Sequence, residues 1–350
     1  MPQPIKNATA KSFDDGTYLF QGYKPGEHPN DVTKLAGLYR TGKLANPSKE
    51  QNSKMTEQLL LGQSAKNCTN QFIKELGRIR NKISGGKQYT HSSNTPEVNA
   101  KAKYWFANIK SGSLKGAKRI HEKAVIYSAK SEEANPPELM INNVRDVLRA
   151  TIVFETVEKL EEWCSGSGPG KNIIDFVNSK FPVLRVKNRF VGDALPQFKP
   201  FASLNSLEQL YNEKKREHVT RDSFYRDIQM LVLLDSSKGF KTAPFTHHIA
   251  EVQISIEKMM GAKKVGHKAY ENIRVIDGYI EMKKIFEKNK DNARVAELLK
   301  LKVPKMDIVK SFYDDTQTMA QIYRDALKGD LAPDPIRMAI NNSNWYKKNM

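Results

Sequence analysis

The chain is poor in cysteine. Cys68 and Cys164 are the only two in 350 residues, too few for a disulfide framework and too far apart for zinc-ligand spacing. Long apolar runs are missing too. Stretches such as Met230 to Leu234 fall far short of the roughly 20 residues a membrane span needs. The opening MPQPIKNATAKSFDDG holds no apolar segment that would act as a secretory signal. No GxxxxGK[ST] loop is present, which argues against a P-loop enzyme. His247 and His248 are adjacent, so on a strand their rings point to opposite faces and cannot share a metal. Membrane protein, disulfide scaffold and zinc module are thereby excluded. A soluble, cytoplasmic chain folded in reducing surroundings is expected, with leaderless export as an effector left open. No internal repeat, coiled-coil heptad or low-complexity run is visible.

What the chain does have is positive charge, 57 Lys+Arg against 39 Asp+Glu for a net +18. The excess is +6, +4, +5 and +3 over residues 1–100, 101–140, 141–275 and 276–350, so there is no basic tail. One stretch is denser: residues 101–130 hold eight Lys/Arg and a single acid, Glu122. A diffuse positive field attracts phosphate-bearing ligands, nucleotides as well as RNA. It also simply keeps a protein soluble.

Three regions are expected: an N-terminal extension (1–95), a core (96–275) and a C-terminal helical extension (276–350). In the first, Leu59, Phe72, Leu76, Ile79 and Ile83 predict a helix over Met55 to Ile83. Residues 84–97 read as loop. A helix pair over about 96–131 breaks at Ser111-Gly112-Ser113, and Asn135-Pro136-Pro137 closes it. From 139 the pattern changes. Strands are expected at Leu148–Phe154, Pro182–Phe190, Tyr225–Leu234 and His248–Ile254, with helices at Val157–Cys164 and Ile173–Phe181 and one long helix over Ile256–Arg274. Strands alternating with helices predict an α/β (α+β) sheet covered by helices. Residues 278–329 read as helical with a break at Pro304, and the Pro/Asn-rich tail 330–350 reads as loose.

Two acids occupy positions where a purely structural role is hard to argue. Asp146 precedes the LRATIVF strand. Glu251 lies inside HIAEVQI, alternating with Ile249 and Gln253 on one face while Ala250, Val252 and Ile254 take the other. Burying Glu and Gln on a central strand costs several kcal/mol unless each finds a partner. Carboxylates on neighbouring strands that share one Mg²⁺ with substrate phosphates would meet that cost. An edge strand with both residues facing water would also meet it. Tyr225 and Arg226 open another strand, where the ring can face a nucleobase and the guanidinium a phosphate, or the Tyr can be merely half-buried. In SLKGAKRIHEK, Lys115, Lys118 or Arg119, and Lys123 follow one side of a helix, either gripping a polyphosphate or forming a solvated face. His267, Tyr270 and Arg274 share one face of a later helix. That face either closes over a site or fastens the helix to the sheet. Cys164 has no basic neighbour to activate it.

The order of these segments is more specific than any one of them. SLKGAKRIHEKAV, DVLRATIVF, VKNRF, YRDIQMLVLL, AEVQI and AKKVGHKAYENIR together resemble the RelA/SpoT-type nucleotidyltransferase (alarmone synthetase) superfamily, in a divergent form similar to its toxin-associated branches, over about residues 105–275. The resemblance implies a mixed-sheet nucleotidyltransferase-like core with helical N- and C-terminal extensions. It implies transfer of pyrophosphate from ATP to a ribose 3′-hydroxyl, with Mg²⁺ as cofactor. Asp146 would then hold the metal, Glu251 would assist it or activate the hydroxyl, and Tyr225 would stack on the acceptor base. Lys115, Lys118, Arg119 or Lys123 would bind ATP phosphates. Arg149, Arg226, Gln253, His267, Tyr270 and Arg274 complete the expected substrate-binding set. The chain departs from the family in three places. Ser113-Leu114-Lys115 stands where an Arg-x-Lys pair is usual, Phe224 replaces a Gly, and Arg149 lies three rather than five residues after Asp146. No second domain with paired His/Asp motifs for hydrolysis is visible.

Three functions remain open on the sequence. One is a pyrophosphokinase whose acceptor is a guanine or adenine nucleotide or a tRNA 3′ end. Another is a catalytically inert nucleotide- or RNA-binding module on the same fold. The third is a toxin or effector, in which residues 1–95 or 276–350 serve export, an antitoxin or self-association.

Overall fold

The computed structural model describes residues 17–19, 56–83, 107–111, 114–129, 140–166, 172–190, 206–216, 225–235, 247–288, 296, 299–300, 303–327 and 333–349. The loops read at 84–97 and around Asn135-Pro136-Pro137, and Phe224, lie outside them.

Six described strands form one mixed sheet. They are β1 (Thr17–Leu19), β2 (Ala107–Ser111), β3 (Arg149–Phe154), β4 (Val183–Asn188), β5 (Ile228–Asp235) and β6 (His247–Ile256), in the spatial order β1-β4-β5-β6-β3-β2. Only the β3–β6 pair is parallel; the other neighbours run antiparallel. The expected mixed α and β architecture is what forms. One element differs. Residues 107–110, expected in the first helix of the pair, and Ser111, expected in the turn, instead pair antiparallel with β3, Ala107 opposite Phe154 and Ser111 opposite Ala150. The pairing supplies ladder hydrogen bonds to what would otherwise be the open edge of β3, which local periodicity does not report.

Alternation gives the sheet two unlike faces. On one lie Ala150, Ile152 and Phe154 of β3, Met230, Val232 and Leu234 of β5, and Ala250, Val252, Ile254 and Ile256 of β6, all buried. Helix α1 (Thr56–Ile83) covers this face. Its seam of Leu61, Ala65, Cys68, Phe72, Leu76, Ile79 and Ile83 recurs every three or four residues and is fully buried. Full burial of each large side chain contributes about 1.5–3 kcal/mol. Ser64 on the same helix hydrogen-bonds His248 Nδ1 at 3.0 Å. Leu59, expected in the seam, is only half-buried; Leu60 and Leu61 take its place. The opposite face carries Arg149 and Thr151, Gln229, and Glu251 and Gln253, and it is the polar one.

Helix α2 (Ala117–Ala129) follows β2. Helix α3 (Val157–Ser165) starts at Thr156, whose hydroxyl accepts from the Lys159 amide, and stops at Gly166, whose φ of 78° favours glycine. Helix α4 (Ile173–Asn178) is capped by Asn172, while α5 spans Leu207–Arg216. The single helix expected over 256–274 is two, α6 (Glu257–Val265) and α7 (His267–Lys288), interrupted at Gly266. Helix α8 (Met306–Leu327) passes this break. A Cβ on Gly266 would lie 3.4 Å from the Ala262 carbonyl and 3.6 Å from Met319 Cγ, so glycine lets the helices approach closely.

The tail expected to be loose is helical and docked. Helices α9 (Pro333–Asn341) and α10 (Asn344–Asn349) pack against the α3–α4 side. Asp175 of α4 accepts from the amides of Asn344 (2.8 Å) and Trp345 (2.6 Å), an N-cap supplied by another helix. Trp345 is buried, and its indole N–H donates to the Val183 carbonyl at 3.0 Å. One hydrophobic core runs from Leu60 through the sheet to Trp345.

Candidate active site

The polar face gathers most of the sequence-predicted residues. Glu251 is on β6, a central strand, and is 8% exposed, with Gln253 at 7%. That rules out the edge-strand alternative. The burial is compensated locally: Gln253 Nε2 donates to Glu251 Oε1 at 2.8 Å, and Thr151 Oγ1 donates to Gln253 Oε1 at 3.2 Å. The register explains the relay, because Gln253 lies opposite Thr151 and Glu251 opposite Arg149 across the parallel pair. The amide is thereby oriented with its donor end toward the carboxylate, and Glu251 is held in one pose.

Asp146 sits just before β3, beside the start of α2. The Lys115 amide donates to the Val147 carbonyl at 3.1 Å, which pins the approach to α2 against the root of β3. Lys115 Nζ lies 3.1 Å and Lys123 Nζ 2.6 Å from Asp146 Oδ2, so the segment leading into α2 and the second turn of α2 converge on one carboxylate. Burial opposes ionisation of Asp146, but Lys123 and Lys115 outweigh it and hold the carboxyl below its usual range. Burial likewise pulls the lysines down. It prevails at Lys115, whereas at Lys123 the attraction of Asp146 prevails and the ammonium is raised.

Glu251 is shifted the other way. Burial, then the negative charges of Asp146 and Asp227, push its carboxyl above the ordinary glutamate value, against Lys123 and the Gln253 amide. Two carboxylates that repel each other and are perturbed in opposite directions, one held ionised by two lysines and one pushed toward the neutral form, are a common property of functional sites.

The other predicted cations divide. Arg149 is exposed on the polar face, within electrostatic reach of Lys115 and Lys263. Lys118 points to solvent, and Arg119 pairs with Glu122 at 2.5 Å. Of the four cations expected on α2, Lys115 and Lys123 therefore reach the site. Arg226 is buried just ahead of β5. His267, Tyr270 and Arg274 form a surface group at the start of α7: Glu271 lies 3.7 Å from His267 and 3.6 Å from Arg274, and Arg274 stands over the Tyr270 ring at 5.9 Å.

Tyr225 is not an open stacking platform. Lys263 Nζ lies 5.1 Å from its ring centroid and 3.5 Å from its hydroxyl, and Tyr323 of α8 meets it edge-on at 5.5 Å. Burial and the nearby Asp227 push its hydroxyl well above the ordinary tyrosine value.

Sequence reasoning missed Asp227, Lys263, Arg189 and Thr151. Asp227 is fully buried, accepting from Arg189 Nη1 at 3.2 Å and Gln229 Nε2 at 3.3 Å. Burial raises its carboxyl, with Arg189 and Lys263 opposing. Its alternation with Tyr225 and Gln229 was a readable signal; Lys263, inside a helix of mixed charge, gave none.

The donor set is two carboxylates, Asp146 and Glu251, and no cluster of three or more His, Cys, Asp or Glu able to hold a metal occurs among the described residues. That suits a hard cation taking its remaining oxygens from phosphates and water, as Mg²⁺ does, and does not suit a protein-caged Ca²⁺ or Zn²⁺. No described helix is long and apolar enough to cross a membrane.

No family model and no curated protein matches the sequence. Among solved structures, the chain is similar to small alarmone synthetase 1 from Bacillus subtilis bound to its product pppGpp, at 14% identity and a TM-score of 0.33, over 74% of this chain and 91% of that one. The same synthetase bound to AMPCPP aligns over 79% of this chain and 95% of that one, at 13% identity and a TM-score of 0.33. A GTP pyrophosphokinase family protein from Streptococcus pneumoniae aligns over 74% and 94%, at 11% identity and a TM-score of 0.32. Likeness of this size leaves the chemistry to be argued from the residues.

Proposed function

We propose that the chain is a Mg²⁺-dependent pyrophosphokinase that transfers the β,γ-pyrophosphate of ATP to the 3′-hydroxyl of a nucleotide. The observation that supports it is the meeting of Asp146, pinned by Lys115 and Lys123, with Glu251 on the polar face of the sheet. The ordered motifs of residues 105–275 supply the reaction type.

In this reading Lys115, Lys123 and Arg149 hold the ATP phosphates and neutralise the charge that develops on them. With Lys115 and Lys123 engaged by the phosphates, Asp146 and Glu251 are the residues that would hold the cation. When bound there, Mg²⁺ polarises the phosphoryl oxygens. The 3′-oxygen forms a bond to the β-phosphorus, the bond from that phosphorus to the α,β-bridging oxygen breaks, and AMP leaves. Glu251 takes the hydroxyl proton as general base. Gln253 and Thr151 keep its carboxylate oriented. Positioning supplies most of the rate, since phosphoryl transfer asks little covalent work of side chains. A base stacking on Tyr225 must displace Lys263 from the ring or use the other side. That engaged ring favours keeping an inert binding module as the second reading.

Incubation with γ-³²P-ATP, Mg²⁺ and guanine nucleotides, adenine nucleotides or tRNA tests this. A labelled product with one acceptor class, lost in Asp146→Asn and Glu251→Gln, supports the assignment. Transfer that persists in both variants overturns it, and binding without any product leaves the inert module.

A further inference from the structure

Tyr225 is gripped by a helix that the proposed chemistry leaves unused. Its ring meets Tyr323 of α8 edge-on at 5.5 Å, and Lys263 of α6 stands over it at 5.1 Å. Tyr323 is 3% exposed, and burial, with the nearby Tyr270, pushes its hydroxyl up to about 12. At neutral pH it is therefore an uncharged ring, packed on Tyr225 and within electrostatic reach of Tyr270 in the surface group at the start of α7. Gly266 lets α8 come this close, since Met319, one turn before Tyr323, passes the helix break there.

The grip has a second point. Tyr225 stands just ahead of β5, at the end of the β4–β5 connection, and α5 lies within that connection. On α5, Leu210 and Tyr211 are buried with Ile276 and Ile280 of α7 and Val309 and Phe312 of α8, in a cluster separate from the main core. Lys283 of α7 pairs with Glu208 and stands over the Tyr211 ring at 4.2 Å. Phe312 and Tyr323 lie eleven residues apart on α8, about 16 Å along its axis. One helix thus holds the connection at α5 and again at Tyr225. The two holds differ in kind. The first buries six large side chains. The second is one aromatic edge and one ammonium, contacts that a stacking base can outcompete.

We propose that the contact of Tyr323 and Lys263 with Tyr225 is an autoinhibitory latch: α8 keeps the Tyr225 ring engaged in the free protein, and a nucleobase reaches the ring only when the latch opens, with α5 staying docked. The inference rests on the stacking role that the transfer reading gives Tyr225. A platform open for only a fraction of the time weakens apparent affinity by that fraction. An aromatic edge contact and a cation–π contact each shift such an equilibrium several-fold, so the whole latch lowers affinity for the base about tenfold. Loosening it raises acceptor affinity, the opposite of what damage to a merely structural contact does.

Calorimetry reads this without turnover. With the donor subsite saturated by a non-hydrolysable ATP analogue and Mg²⁺, guanosine and adenosine triphosphates are titrated into wild type, Tyr323→Leu, Tyr323→Phe and Lys263→Met. Leucine fills the core but lacks the aromatic edge. Tyr323→Leu should therefore bind one of the two nucleotides about three- to tenfold more tightly while its melting temperature falls. Lys263→Met should tighten the same nucleotide several-fold, and Tyr323→Phe, which keeps the edge, should bind as wild type does. Affinity for the ATP analogue should be equal in all four. Circular dichroism establishes folding; if Tyr323→Leu does not fold, Tyr323→Met takes its place. Unchanged or weaker nucleotide binding in the Tyr323→Leu or Lys263→Met protein overturns the proposal, and so does equal tightening in Tyr323→Phe. If the variants bind more tightly but neither they nor wild type yields a labelled product, the latch stands and the transfer reading fails. If wild type yields product and Tyr323→Leu binds no more tightly, the latch fails and the transfer reading stands.

Discussion

Replacing Asp146 with Asn probes the ion triad without opening a cavity. Asparagine keeps the shape and removes the charge that both lysines face. Losing one partner of a fully buried ion pair costs about 3–5 kcal/mol. Here Lys115 and Lys123 are 11% and 28% exposed, so part of each ammonium reaches water, and a loss of about 2–3 kcal/mol is expected. That corresponds to a fall in melting temperature of roughly 3–4 °C for a chain of this length. The pH dependence has a fixed sign. Asp146 is held below its ordinary value of 3.8, so its contribution is fully present above about pH 3.8 and disappears as pH falls through its lower folded value. The gap between wild type and variant should therefore be constant near neutrality and close only in strong acid. A second consequence separates this site from an ordinary structural ion pair. Freed of their carboxylate, Lys115 and Lys123 should bind inorganic tripolyphosphate without Mg²⁺ about tenfold more tightly, while transfer activity falls about 10²–10³-fold. Thermal melts across pH and calorimetric titration of tripolyphosphate read both. A variant as stable as wild type with unchanged tripolyphosphate affinity refutes the triad as the phosphate-gripping element.

Because Glu251 is raised above 4.5 and must lose its proton to act, kcat/KM should fall on the acid side at a pH above 4.5. Gln253→Met, which removes the amide favouring the ionised form, should move that limb higher; an unmoved profile excludes Glu251 as the titrating group. Lys263→Met removes the cation over Tyr225 and should alter KM for the acceptor several-fold while leaving KM for ATP near wild type, since the proposed mechanism assigns the donor to Lys115 and Lys123. Trp345→Ala removes a buried indole and its bond to the Val183 carbonyl and should cost about 3–5 kcal/mol by denaturant unfolding. A cost below about 1 kcal/mol would mean that the C-terminal helices do not dock.

Elements whose periodicity is local were legible in the sequence. The α1 seam and strands β3, β5 and β6 follow from the spacing of Phe72, Leu76 and Ile79 and from the β-branched runs. The pairing of Glu251 and Gln253 on one strand face was legible for the same reason. Features made by distant contacts were not. Residues 107–111 are strand because β3 offers an edge, and α9–α10 are ordered because Asp175 caps them and Val183 receives Trp345. Gly266 breaks a helix that its neighbours would continue, since α8 crosses there. In the site, Lys115 and Lys123 were found by helical spacing, but only the docking of α2 at the root of β3 separates them from Lys118 and Arg119. Lys263 carries no sequence signal, because its partner Tyr225 lies 38 residues away; Arg189 stands in the VKNRF segment, but its pairing with Asp227, also 38 residues away, is not readable locally.

The central claim, that Asp146 and Glu251 jointly hold a divalent cation, is tested most directly by a crystal structure grown with Mn²⁺ and a non-hydrolysable ATP analogue, with anomalous differences recorded at the manganese edge. The account predicts one strong peak between the two carboxylates, with Lys115 and Lys123 turned from Asp146 onto the phosphates. A peak elsewhere, or lysines still closed on Asp146 with the analogue bound, would contradict it.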